Sequence, residues 1–162
     1  MGRTVVKSEL GIRVATSDDA ESISDLISEL SRKHIAHEFT AEGETALMAS
    51  MSPAAIDKYI DTGYQYHIAE IDGRIVGVVA VRGNYHLYHL FVAEDYQRQG
   101  IASKLWQEAK DLCLSNGNPG EFSVSSSKYA VPVYRKLGFT VESEPQERNG
   151  VIFVPMKLKV HG

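Results

Sequence analysis

Apolar residues recur along the chain with two different periods, and the switch between them sets out the elements. Ala20, Ile23, Leu26, Ile27 and Leu30 fall three or four apart, the spacing of one helix face. Ahead of them Thr16 and Asp19 have the form of a capping box, and "GIRVAT" before that reads as a short strand. From His34 to Met51 the pattern is irregular, with "ETALMAS" a short helix. Ser52 followed by Pro53 reads as the N-cap and first position of a helix ending near Gly63.

Period two then takes over. In "YQYHIAEIDGRIVGVVAVRGNYHLYHLFV" the pair Asp72-Gly73 marks a hairpin turn, and Gly83-Asn84 opens a second, so three antiparallel strands follow one another. After a polar loop, Ile101, Leu105, Trp106, Ala109, Leu112 and Cys113 mark one face of a helix that Asn116-Gly117 ends. "EFSV" is a short strand and "KYAVPVYRKL" a helix stopped by Gly138, with Pro132 bending it or loosening its first turns. "EPQERNG" is a polar loop, and "VIFVPMKLKV" a last strand whose Pro155 calls for an edge or a bulge. The expected fold class is α+β: a mixed, mostly antiparallel central sheet flanked by helices.

Composition narrows this little. At 162 residues the chain, 1–162, is expected to be one domain with a sizeable core. Seventeen basic against twenty-one acidic side chains leave a net charge of −4, which argues against nonspecific nucleic-acid binding. The single cysteine, Cys113, leaves no disulfide framework, and its place on an apolar helix face makes it a buried thiol. "MGRTVVKSEL" lacks the apolar core of a signal peptide, and no run approaches the roughly 20 apolar residues that span a bilayer. No membrane association is expected, and a reducing cytoplasm is the expected compartment.

The chemistry is carried by the loop "YQRQGIASKLW", where an apolar strand empties into a helix. A helix N-terminus offers unpaired amide donors and the positive end of its dipole, so an anion binds there without help from side chains. Gly100 and Ala102 let backbone approach a phosphate, and Arg98 adds a cation at the same mouth. A P-loop does not fit, because Lys104 lies inside the helix; G-x-G-x-x-G fails because Ala102 takes the second glycine's place.

The run Gln97, Arg98, Gln99, Gly100, Ile101, Ala102 resembles the Q/R-x-x-G-x-G/A signature of the GNAT acetyltransferases. "LFVAEDYQRQGIA" before it and "VPVYRKLGF" after it also resemble that family, and the order of elements is similar over the whole chain. The resemblance implies acetyl-CoA as cosubstrate and no metal. It implies a diphosphate on the amides of Arg98 to Ser103, including Ile101 and Ala102, and a pantetheine arm beside Leu90, Phe91 and Val92. It implies direct acetyl transfer to a primary amine of a small molecule, an amino acid or a protein.

Within that reading Tyr134 matches the family's general acid, with Tyr129 as the lesser rival. His86 stands where histone-type relatives carry a glutamate base; Glu121 and water chains compete with it. On an ideal strand His86, Tyr88 and Leu90 share one face, and Tyr85, Leu87 and His89 the other. Ser127 takes the place of the asparagine with which many relatives hold the arm or the helix start. His34 and His37 are assigned to a solvated surface, and Trp106 to the core. Relatives often pair, so a homodimer is expected on resemblance, although no stretch demands it. The rival reading is a noncatalytic acyl-CoA sensor or interaction module of the same fold; a transferase for longer acyl chains is a second.

Overall fold

A computed structural model describes residues 9–160. Strand β1 (Gly11–Val14) leads through a 3-10 turn into α1 (Ala20–His34). The capping box predicted there forms: Thr16 N–H donates to Asp19 Oδ2 at 2.8 Å. Asp19 also takes both guanidinium nitrogens of Arg13, at 2.8 and 2.9 Å, tying β1 to the start of α1. Helices α2 (Ala41–Ser50) and α3 (Pro53–Asp61) follow, capped by Thr40 and Ser52, whose hydroxyls accept from Gly43 and Ala55 N–H groups.

Strands β2 (Gln65–Ile71), β3 (Arg74–Arg82) and β4 (His86–Val92) form the expected antiparallel run. Helix α4 (Ile101–Ser115), β5 (Glu121–Ser126), α5 (Val131–Lys136), β6 (Thr140–Val141), β7 (Gln146–Arg148) and β8 (Val151–Lys159) complete the chain. The sheet order is β1-β2-β3-β4-β5-β8-β6, with β7 also on β8, and every pairing is antiparallel except β4 with β5. Two apolar layers sandwich this sheet. Leu105, Trp106, Ala109 and Cys113 of α4 close one face with Val79, Leu87 and Val124; Ile23 and Ile27 of α1 and Ile56 of α3 close the other with Ile68 and Val78.

Three expectations need correction. "EPQERNG" is not a plain loop, because β7 pairs with β8 across a turn at Asn149 and Gly150, both at positive φ (54° and 82°). Asparagine followed by glycine is the pair such a turn favours, and the polar strand hides because it buries nothing. Helix α5 is shorter than "KYAVPVYRKL": Pro132 sits in its first turn, where a missing N–H costs nothing, and Lys128 to Ala130 form a turn ahead of it. Pro155 lies in a strand flanked on both sides, not on an edge. Its carbonyl accepts from Glu142 N–H at 2.9 Å, so its missing donor faces the point where β6 ends.

Helix α2 meets the β7–β8 turn through bare backbone. A Cβ on Gly43 would collide with the Gly150 carbonyl oxygen. Gly43→Ala is therefore expected to cost about 1–3 kcal/mol through overpacking, read as a lower denaturation midpoint with little change in helix content.

Candidate active site

Strand β4 diverges from its parallel neighbour almost at once. Only His86 and Leu87 pair with β5, opposite Ser123 and Val124. Beyond them the strands part, and the free edge of Leu90, Phe91 and Val92 faces the segment 129–137 across a wedge. A cavity of about 710 Å³ fills this wedge. Its far wall is Tyr129, Val133 and Tyr134, its floor the loop from Gln97 to Ser103, and Leu30, His34 and Ile35 close it from α1. Parallel pairing over two residues is too short to hold the strands together, so the wedge follows from where β5 begins and how soon α5 intervenes.

The loop has the geometry of an anion cradle. Gly100 is the N-cap of α4 with φ 79°, and Arg98 also holds a positive φ, 65°. The first helical bond runs from Lys104 N–H to Gly100 C=O at 3.1 Å, leaving the amides of Ile101, Ala102 and Ser103 without a carbonyl partner among the described residues. Apart from its immediate chain neighbours and helix backbone, a Cβ built on Gly100 meets no atom of the described residues within 4 Å, so the space above it is open to a ligand. Gln97 Nε2 donates to Val92 C=O at 2.9 Å and so fixes the loop against the end of β4. Arg98 and Lys136 supply the cationic side chains of the lining.

Tyr134 is 7% exposed and sits on the cavity wall with its ring edge-on to Phe139. Among the described residues nothing bonds its hydroxyl. Burial pushes its pKa well above the usual tyrosine range, so the phenol remains a proton donor at every working pH.

The other expected residues divide. Leu90, Phe91, Val92, Gln97, Arg98, Gly100, Ile101, Ala102 and Ser103 all line the cavity. Gln99 does not, and its side chain turns back toward the Asp95 carbonyl at 3.4 Å. Ser127 also stays outside; its hydroxyl accepts from Ala130 N–H at 3.1 Å and closes the turn ahead of α5, whose own N-cap is Ala130.

His86 lies at the apex of the wedge and outside the cavity lining, with Nδ1 2.8 Å from Ser123 Oγ. Burial, and then the charge of Arg82, push its pKa down to about 4. The face alternation expected for β4 fails. Ala80 pairs with His89 and Val81 with Leu87, so Tyr88 is an extra residue, a β-bulge. Leu87 and Leu90 therefore pack together on the α4 side, while Tyr88 and Phe91 join the α1 side and His89 meets Tyr66 there.

Among the cavity residues that escaped sequence reasoning are His34 and Lys136. His34, assigned to a solvated surface, lines the cavity with its ring stacked on Tyr129, centroids 4.6 Å apart and 6° between planes. Lys136, in the helix of Tyr134, was assigned no role. Neither carries a local signal, because what brings both to the site is the docking of α1 and α5 across the sheet. Among the described residues no three metal-ligating side chains cluster, and no helix is long and apolar enough to cross a membrane.

A family model described as an acetyltransferase (GNAT) domain matches residues 35–160. The chain belongs to the GNAT acetyltransferase family. As a GNAT member it is an N-acetyltransferase that draws its acetyl group from an acyl-coenzyme A. No curated protein matches the sequence significantly. Among solved structures, the GNAT chain is similar to a GCN5-related N-acetyltransferase of Rhodopseudomonas palustris, with TM-score 0.79 and 20% identity over 98% of this chain and 100% of that one. The PaiA N-acetyltransferase of Thermoplasma acidophilum, in complex with coenzyme A, has TM-score 0.75 and 18% identity over 94% and 99%. An aminoglycoside 6'-N-acetyltransferase complexed with coenzyme A has TM-score 0.69 and 12% identity over 92% and 96%. At these identities the structures agree in fold.

Proposed function

We propose that the wedge is the acetyl-CoA site of an enzyme that acetylates a primary amine directly, with Tyr134 as its general acid. The observation that carries this reading is the open cradle at Gly100, which joins unpaired amides to a channel along the edge of β4 and ends at a buried phenol. The coenzyme A complexes of the Thermoplasma and aminoglycoside enzymes, which share this fold, support it.

In this reading the amides of Ile101 to Ser103, with Arg98 and Lys136, hold the diphosphate. The free edge of Leu90 to Val92 takes the amide-bearing arm as an added strand. The bound coenzyme supplies an acetyl thioester, whose carbonyl carbon is open to attack by a neutral amine. An alkyl ammonium of pKa about 10 must first lose a proton. His86 is the proposed acceptor. Its depressed pKa keeps the imidazole neutral at pH 7, and so weak a base passes the proton on through Ser123 Oγ and water rather than keeping it. Tyr134 gives its proton to the departing thiolate. Burial disfavours both anions in the same cavity, so a raised phenol pKa does not by itself oppose the transfer.

The test pairs binding with turnover. Calorimetry with acetyl-CoA is expected to give heat for the wild type. Gly100→Asp, a residue that tolerates positive φ, places a carboxylate where the diphosphate sits and is expected to weaken binding by about a hundredfold or more. Gly100→Asn, neutral and of the same shape, should lose far less. Equal losses for both variants would remove charge recognition from the site. Free-thiol release with a panel of amines then identifies the acceptor, and release with none of them would favour a sensor over an enzyme.

A further inference from the structure

We propose that His34 and Tyr129 form a strap across the mouth of the wedge that retains the coenzyme's arm once it is seated, with Glu94 and Lys33 as its anchor. The inference rests on the reading of the wedge as the acetyl-CoA site. His34 is the last residue of α1, and Tyr129 belongs to the turn ahead of α5, so the two rings come from different walls and meet at the cavity that both line. They lie parallel, 4.6 Å apart at 6°. Tyr129 is 50% exposed, and His34 is the only ring it touches among the described residues, so the stack is not a corner of the core.

The anchor is what separates this pair from a chance surface contact. His34 Nε2 lies 2.5 Å from Glu94 Oε1, and Lys33 Nζ lies 2.8 Å from the other carboxylate oxygen. Glu94 sits in the 3-10 turn (Glu94–Tyr96) that joins the free edge of β4 to the phosphate loop. Lys33 first and His34 second hold its carboxylate below the usual range. Three segments that would otherwise border an open wedge are thus tied together: the end of α1, the turn into the loop and the approach to α5. Because the tie is made through the turn that follows Val92, it stands beside the end of the β4 edge, where the arm would run before reaching the loop. His34 is therefore a positioning residue here and not the base. Seating the arm requires the stack to part, and its re-formation slows release.

The experiment follows the release of acetyl-CoA from preloaded protein, chased with excess coenzyme A, for the wild type, H34A, Y129A and the double variant. The nucleotide half of the coenzyme, which has no arm, serves as a second ligand. A ring pair worth about 0.5–1.5 kcal/mol corresponds to release about two- to tenfold faster in each single variant. The double variant should add little, because either change already breaks the stack. His34→Phe keeps a ring on Tyr129 and should release more slowly than H34A. Binding of the nucleotide half should stay unchanged throughout. Wild-type release rates in both single variants overturn the strap, as does an equal loss of affinity for the nucleotide half. Failure of the wild type to bind acetyl-CoA overturns the cavity assignment and the strap with it.

Discussion

Replacing Tyr134 with phenylalanine is expected to lower the acetyl-transfer rate about a hundredfold while leaving the affinity for acetyl-CoA within about twofold of wild type. The magnitude is the low end of what a positioned proton donor contributes. The split between rate and affinity follows from the site. The ring is buried against Phe139 and keeps its place in phenylalanine, and the hydroxyl that is lost bonds nothing among the described residues, so no buried partner there is orphaned. Single-turnover thiol release, set beside calorimetry on the same variant, reads the two quantities separately. Equal loss of rate and affinity would make Tyr134 a binding residue. An unchanged rate would pass the donor role to Tyr129 or water. A noncatalytic acyl-CoA module would show no release before or after the change, which separates the two classes of function in one measurement.

The second large effect concerns stability. His67 and His89 are 6% and 5% exposed, and burial lowers both pKa values, that of His89 to about 3. His86 is held near 4 by burial and Arg82. In the unfolded chain each ring titrates near 6.5, so below that pH the unfolded state binds protons that the folded state refuses. Stability contributed by the neutral rings is full above about pH 6.5. It declines as the pH falls toward the folded pKa values of about 4 and 3 and loses no more below them. Each fully buried ring costs up to about 1.4 kcal/mol per pH unit inside that window, against a total of about 5–15 kcal/mol for a domain. Denaturant midpoints should therefore fall steeply between pH 6.5 and 4.5. That is above the range where Asp19, held low first by its bond from Arg13, begins to be protonated. A flat profile over those two units would show that water reaches these rings in the native state. Nuclear magnetic resonance of the His89 ring offers a direct check, because the ring should not titrate there.

How much of the site was legible depended on whether its signal was local. The loop could be read because the need for φ 79° at Gly100 and for bare backbone at a helix start falls on adjacent residues. Tyr134 stood out only through the resemblance of "VPVYRKLGF" to the family's segment, in which Gly138, at φ 102°, ends the helix four residues later. The bulge at Tyr88 was hidden, since an extra residue in one strand shows only against its partner's register. It moved His89 and Leu90 to faces opposite those expected from strict alternation. His34 was misassigned for a related reason. Its spacing from His37 suggested a solvated pair, whereas its surroundings are set by Tyr129 and Glu94, 95 and 60 positions away along the chain.

The longer helices and strands, the two hairpin turns, the cap of α1 and the amide cradle were determined by the sequence alone, because each rests on periodicity or on the backbone preferences of neighbouring residues; the short polar β6 and β7 were not. The wedge itself was decided only by tertiary structure. Its opening depends on β4 and β5 pairing for just two residues, and its far wall on where the shortened α5 comes to rest. Those are contacts between distant segments, and their free energy is set by surfaces that meet only when the chain has folded.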